Sequence, residues 1–120
     1  MGGRQACCEF NPRKQRMFRK LDPDGVAMRP VTISVDGVAM AVEDGEPIAA
    51  VLLRVPPFTS RATPVGGAAR APYCMMGACF ECLVEIDGET STRSCMTRAR
   101  HGMVVRRQAT RPDPLRGIGV

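Results

Sequence analysis

The chain has 120 residues, of which 44% are hydrophobic and 24% charged, with a net charge of +5. This composition is typical of one soluble domain of ordinary size. No apolar run approaches the roughly 18 residues that cross a bilayer, and the N-terminus lacks the features of a secretory signal, so we expect a cytoplasmic protein, either free or peripheral to the inner membrane through a complex. Six cysteines in that reducing compartment indicate metal or redox chemistry rather than a disulfide framework.

The charge is distributed unevenly along the chain. Residues 1–30 hold seven Lys/Arg against three Asp/Glu, residues 31–95 hold four against eight, and residues 96–120 hold six against one. The chain lacks the interleaved basic and aromatic residues of nucleic-acid binding motifs, so we expect no nucleic acid as partner. The basic ends are suited to acidic partner surfaces or to solvent. We expect a basic N-terminal extension over 1–30, one domain over 31–107 and a basic C-terminal tail over 108–120.

The domain begins with a predicted β-hairpin. A β-branched run over 31–35 is followed by Asp36-Gly37 and then by a second apolar run over 38–42. Two short strands joined by Asp-Gly are typical of a hairpin with a tight turn.

A short helix is predicted next. Acidic residues over 43–46 precede Pro47, which suits the first helical position because its missing N–H would be unpaired there. One apolar stripe follows at helical spacing and ends at Pro56-Pro57. Its members are Ile48, Val51, Leu52 and Val55.

The second half of the domain is predicted to be irregular at first and then extended. Residues 58–73 contain prolines and a Gly-Gly pair, and the cysteine-rich turn over 74–82 follows them. Residues 83–86 and 90–94 then form strands around an Asp87-Gly88 turn, and residues 103–106 form a last strand. Two hairpins, a helix packed on them and a final strand make an α+β roll.

Four cysteines follow the spacing Cys74-x4-Cys79-x2-Cys82-x12-Cys95. The C-x4-C-x2-C…C pattern is that of a plant-type 2Fe-2S cluster, which requires four thiolates. The second hairpin returns the fourth cysteine to the first three. Gly77 is small, like its neighbour Ala78, so the backbone can approach the cluster and offer N–H groups to its sulfides. We predict that these four cysteines are the metal ligands.

Other residues are predicted to surround the cluster without binding iron. Backbone and packing contacts are expected from Met75, Met76, Gly77, Ala78, Phe80 and Glu81. Met96 and Met103 are expected to join the loop methionines in keeping water off the cluster. We interpret Cys7 and Cys8 as incidental thiols and His101 as a surface residue.

Other uses of the cysteines fit the sequence less well, among them a 4Fe-4S cluster, whose C-x2-C-x2-C spacing is absent. A structural zinc site usually has two separate C-x2-C turns, and this chain has one, so zinc is the weaker alternative. A Rieske centre needs two histidines, and the chain has one. A thioredoxin-like disulfide would place Cys79-x2-Cys82 at the start of a helix, whereas a strand is predicted to follow it.

The stretch over 70–88 resembles the small 2Fe-2S subunits of multi-subunit flavin-dependent amino-acid dehydrogenases, a group that includes D-hydroxyproline dehydrogenase, opine oxidase and hydrogen cyanide synthase small subunits. The resemblance extends from about Met17 to Arg107, and residues 1–16 depart from the pattern, so Met17 is an alternative to Met1 as the expected start. It implies a β-grasp ferredoxin-like fold with a mixed sheet. The cysteine motif is highly specific, whereas the assignment to one enzyme is not.

The resemblance also implies partners. One subunit would be an FAD-containing amino-acid oxidase-like protein that oxidises the substrate, and another a pyridine-nucleotide disulfide oxidoreductase-like protein, with FMN as a further candidate cofactor. This chain would then be a non-catalytic subunit that relays single electrons in an amino- or imino-acid dehydrogenase of hydroxyproline, proline or opine type. The alternative is a free ferredoxin serving a separate reductase or oxygenase. Free plant-type ferredoxins are acidic, whereas this chain is basic, so we favour the subunit.

Overall fold

A computed structural model of the chain describes Phe18, Leu21 and residues 29–109. The predictions for Cys7, Cys8 and most of both basic ends lie outside these residues. The elements in chain order are β1 (Pro30–Val35), β2 (Val38–Glu43), α1 (Ile48–Leu52), β3 (Arg61–Ala62), β4 (Ala69–Arg70), β5 (Leu83–Ile86), β6 (Glu89–Arg93) and β7 (Val104–Arg107).

Five strands form one mixed sheet in the order β2-β1-β7-β5-β6. The two predicted hairpins, β1–β2 and β5–β6, are antiparallel and lie on either side of β7. Strand β7 pairs parallel with β1 and antiparallel with β5. The last strand of the described chain therefore joins the two hairpins at the centre of the sheet.

Both Asp-Gly turns have the geometry that a two-residue hairpin loop requires. The φ angles are 51° and 85° at Asp36 and Gly37, and 50° and 88° at Asp87 and Gly88. Positive φ at both central positions fits the right-handed twist of the flanking strands. The aspartate side chains also accept backbone N–H groups from β7, Asp36 from Arg107 at 2.8 Å and Asp87 from Val104 at 2.9 Å. Each turn is thereby fixed to the central strand.

Helix α1 is shorter than predicted. The predicted apolar residues Ile48, Val51 and Leu52 are fully buried, and Val55 packs against the same core. The helix nevertheless ends at Leu52, and the N–H groups of Arg54 and Val55 bond to carbonyls three residues earlier. Pro56 explains the difference, because a proline disfavours the helical conformation in the residue before it and the last turn tightens.

Residues 58–73 are predicted from the sequence to be irregular, but the structure has two short strands there. Strands β3 and β4 form a small antiparallel hairpin with Arg61 opposite Arg70 and Ala62 opposite Ala69. The N–H of Ala62 donates to the carbonyl of Gln108 at 2.9 Å, and the N–H of Gln108 donates to the carbonyl of Ser60 at 3.0 Å. This hairpin therefore lies beside the end of β7 and immediately precedes the cysteine loop.

The core lies between the sheet and α1 and is divided into two groups. The larger group contains Ile33, Val35, Val42, Ile48, Val51, Leu52, Val84, Ile86, Ala99, Met103 and Val105. The smaller group contains Ala49, Cys82 and Cys95, so the helix contacts both groups. No helix in the described part of the chain is long and apolar enough to cross a membrane.

Candidate metal centre

The β5–β6 hairpin brings Cys95 back to Cys82, as the spacing predicted. Cys82 immediately precedes β5, and Cys95 follows β6 after Ser94. The buried hydroxyl of Ser94 donates to the carbonyl of Cys82 at 2.6 Å, and the Ser94 N–H donates to the same carbonyl at 3.2 Å. The N–H of Ala49 in α1 donates to the carbonyl of Ser94 at 3.1 Å. Sheet and helix together fix the position of these two buried cysteines.

Cys74 and Cys79 form a second pair, in the loop between β4 and β5. The Sγ of Cys74 accepts the N–H of Cys79 at 3.3 Å and that of Met76 at 3.4 Å. These two backbone donors, first Cys79 and then Met76, lower the pKa of Cys74 from 9.0 to about 6. Cys74 is therefore largely a thiolate at neutral pH, which is the form that binds metals.

Cys95 has the opposite electrostatic environment. Burial raises the pKa of its thiol, and contact with the neighbouring Cys82 thiol raises it further. A metal ion that binds Cys95 must therefore displace its proton. The four cysteines are free thiols. Cys74 and Cys79 are joined through the bond from the Cys79 N–H to the Cys74 Sγ, and Cys82 and Cys95 lie in the same small buried group.

The donor set fits a dinuclear iron-sulfur cluster. No three His, Cys, Asp or Glu side chains within the described ranges converge as they would around one metal ion. A 2Fe-2S cluster needs two thiolates on each of two irons, and two neighbouring thiol pairs match that requirement. Cys74, Cys79, Cys82 and Cys95 could hold such a cluster.

The end of the cysteine loop is held by residues around the small β3–β4 hairpin, which the sequence patterns did not single out. The hydroxyl of Ser60 lies within hydrogen-bond distance of the carbonyls of Arg70 and Glu81 and donates its single proton to one of them. Nε of Arg61 donates to the carbonyl of Phe80 at 2.9 Å. The carboxylate of Glu81 forms ion pairs with Arg61 at 3.5 Å and with Arg70 at 3.8 Å. Glu81, predicted to surround the cluster, thus directs its charged group toward this hairpin.

Two residues contact the middle of the cysteine loop, Arg93 at the end of β6 and Met96, which follows Cys95. Nη1 of Arg93 donates to the carbonyl of Gly77 at 2.9 Å. Gly77 has φ +80°, and a Cβ added there would lie 3.1 Å from the Sδ of Met96. The predicted need for a small residue at Gly77 therefore has two causes, a left-handed backbone and the Met96 side chain. Met75 has φ 58°, so the loop also bends sharply before Gly77.

We expect Gly77→Ala to lower the iron content of the purified protein. Alanine at a left-handed position costs about 1 kcal/mol. Its methyl group would also lie 3.1 Å from the Sδ of Met96, which must shift to make room. Gly67→Ala is the matched control, because Gly67 also has a positive φ, +66°, but no atom within 4 Å of an added Cβ. Equal iron per chain in the two variants would contradict this prediction.

The methionines do not all surround the cysteines. Met103 is fully buried in the larger core group rather than beside the thiols. The prediction that it keeps water off the cluster was therefore wrong. Met96 contacts the loop at Gly77, as expected, but Met75, Met76 and Met96 are all exposed. They form an apolar edge to the loop instead of a closed cover, because the loop lies at the surface and has no further element above it in the described chain.

The chain matches a known protein family and two curated bacterial proteins. Residues 28–110 match the profile of a family described as 2Fe-2S iron-sulfur cluster binding domain. The chain is 35% identical over 95 residues to hydrogen cyanide synthase subunit HcnA of Pseudomonas aeruginosa, covering 79% of this chain and 90% of that protein. It is 31% identical over 101 residues to HcnA of Pseudomonas protegens, covering 81% and 91%.

A solved structure shares the fold. It is a crystal structure of L-proline dehydrogenase from P. horikoshii, similar with a TM-score of 0.61 and 18% identity. The likeness covers 80% of this chain but 19% of the other, so the chain corresponds to a small part of that protein. Together with the family match, it confirms the ferredoxin-like, β-grasp type of fold expected from the resemblance.

Proposed function

Because the chain belongs to the family of 2Fe-2S iron-sulfur cluster binding domains, we propose that it relays single electrons through one cluster bound by Cys74, Cys79, Cys82 and Cys95. The observation that carries this proposal is the arrangement of the thiols in two pairs, Cys74 with Cys79 in the loop and Cys82 with Cys95 at the ends of the β5–β6 hairpin. Cys74 and Cys79 would hold one iron, and Cys82 and Cys95 the other.

When bound, a 2Fe-2S cluster supplies one-electron oxidation and reduction. The residues of the chain place it asymmetrically. Cys82 and Cys95 are 1% and 6% exposed, whereas Cys74 and Cys79 are partly exposed. The buried pair excludes water, and the loop pair lies near the surface, where a redox partner can approach. The N–H groups of Met76 and Cys79 would stabilise negative charge on the Cys74 sulfur, which tends to raise a reduction potential.

The complex in which this relay operates is the second part of the proposal. We infer a flavin-dependent amino- or imino-acid dehydrogenase of hydroxyproline, proline or opine type, located in the cytoplasm or peripheral to the inner membrane. The FAD-containing amino-acid oxidase-like subunit would oxidise the substrate, and a pyridine-nucleotide disulfide oxidoreductase-like subunit would be the other partner. Two curated relatives are named as subunits of a synthase and match over at least 90% of their length, which supports the subunit role.

The iron content of the purified chain tests the first part. Protein purified aerobically should be red-brown and contain about two irons and two sulfides per chain. Zinc in place of iron, in a colourless preparation, would overturn the cluster assignment.

Size-exclusion chromatography of the protein from its native host tests the second part. We expect the chain to elute with two larger flavoproteins, because the proposed relay accepts electrons from a flavin. An iron-loaded chain that elutes alone as a stable monomer would instead indicate the free ferredoxin.

A further inference from the structure

The cysteine loop is bordered by exposed apolar side chains, which we call the cluster rim: Tyr73, Met75, Met76, Phe80 and Met96. Tyr73 is 85% exposed, Met76 73%, and Phe80 and Met96 61% each. Four of these residues belong to the loop or adjoin its first cysteine, and Met96 approaches the loop at Gly77. Exposed apolar residues that are contiguous, unlike scattered ones, mark interaction sites.

The charges around the cluster rim are basic. Residues 71–80 contain no Asp, Glu, Lys or Arg. Two arginines with exposed side chains contact the loop from outside, Arg93 at the Gly77 carbonyl and Arg70 at the Glu81 carboxylate. The carboxylate of Glu81 is shared between Arg70 and Arg61. The border of the apolar surface therefore presents guanidinium groups, and its one acid is already paired.

This composition is that of a protein–protein interface. Interface centres are enriched in Tyr, Phe, Met and Arg and depleted of Lys, Glu and Asp. A symmetric contact with a second copy would bring each patch against itself, so that the arginines would lack acidic partners. A different protein with carboxylates around an apolar recess would complement both the centre and the border.

We propose that the cluster rim is the surface on which the FAD-containing partner subunit docks, through an apolar recess bordered by Asp and Glu side chains. This inference rests on the proposed function. Docking there places the partner next to the partly exposed thiols Cys74 and Cys79, on the side where the bound cluster would be nearest to the surface. The same contact would cover the apolar edge that the isolated chain leaves in water.

The test compares tagged full-length chains produced in the native host. The double variant Tyr73→Ser/Met96→Ser should co-purify with at least about tenfold less FAD per chain than the unchanged protein, because truncating an aromatic and an apolar anchor at an interface is costly. Val38→Ser is the matched control: Val38 is 67% exposed but lies on β2, at the sheet edge opposite β6. The Val38→Ser protein should co-purify with as much FAD per chain as the unchanged protein.

Iron per chain is measured in each variant, so that loss of the cluster is separated from loss of docking. If the double variant loses iron, the docking surface is tested instead with Arg70→Gln, and Arg106→Gln is its control. Arg70→Gln should lower the amount of FAD that co-purifies several-fold at low ionic strength, because Arg70 borders the rim. Arg106→Gln should not, because Arg106 lies on β7.

The outcomes separate this inference from the function on which it rests. If the unchanged chain is purified without a flavoprotein, the proposed complex is wrong and the docking inference with it. If the unchanged chain recovers FAD and the rim variants recover the same amount, the docking inference is overturned while the complex stands. A homodimer that only the rim variants dissociate, with FAD recovery unchanged, would assign the surface to a second copy and also overturn it.

Discussion

Cys79→Ser should lose most of the iron of the protein, together with its red-brown colour. A serine hydroxyl is not a thiolate, and one of the two thiols of the loop pair is then missing. The hairpins should remain partly formed, because the larger core group contains none of the four cysteines. Visible absorption and iron analysis measure the cluster, and far-ultraviolet circular dichroism measures the strands and helix.

The control for this change is Cys8→Ser, which replaces a cysteine that we interpret as incidental. Its iron content and visible spectrum should equal those of the unchanged protein. A Cys79→Ser protein with an unchanged spectrum would show that the ligand set has been assigned wrongly. A Cys8→Ser protein that loses iron would show the same.

Arg107→Ala should lower the free energy of unfolding by about 2–4 kcal/mol. The Arg107 side chain is 12% exposed and pairs with Asp36. Its Nε donates to the carbonyl of Thr59 at 2.6 Å and its Nη2 to the carbonyl of Val55 at 2.8 Å. Alanine removes all three contacts and leaves two part-buried carbonyls without this donor. These contacts join the β1–β2 turn, the segment after α1 and the end of β7.

Arg106→Ala is the matched control for this prediction. Arg106 is the preceding residue of β7, with an exposed side chain, and lies opposite Glu85 in β5. Loss of an exposed charge of this kind changes stability by less than about 1 kcal/mol. Urea denaturation of the iron-loaded proteins, followed by circular dichroism, compares the two variants. Equal urea midpoints for the two variants would show that the Arg107 side-chain contacts do not stabilise the fold.

Features that depend on neighbours in sequence were predictable. Each Asp-Gly turn is specified by two residues that tolerate positive φ, so both hairpins were placed to within a residue or two of their observed bounds. The helical stripe likewise identified the residues that pack on the sheet. The return of Cys95 to Cys82 followed directly from the second hairpin.

Features that depend on distant contacts were not predictable. Strands β3 and β4 have two residues each, too few for a pattern, and are positioned by Gln108 and by the cysteine loop. Arg61, Arg93 and Arg107 have the same side chain as the exposed Arg106, and the sequence alone does not show which of them donate to backbone carbonyls of other segments. Met103 was misplaced for a related reason, because methionine packs equally well in a core and beside a loop.

The position of β7 has a consequence for the order of folding. Each hairpin can form from residues close in sequence, but they meet only through a strand that is synthesised after both. The parallel pairing of Ser34 with Val104 closes a loop of about seventy residues, which is entropically costly and slow. The hairpin between Cys82 and Cys95 can therefore form before the sheet is complete. Cys82 and Cys95 are thus near one another, and accessible to iron, while the rest of the domain is still open.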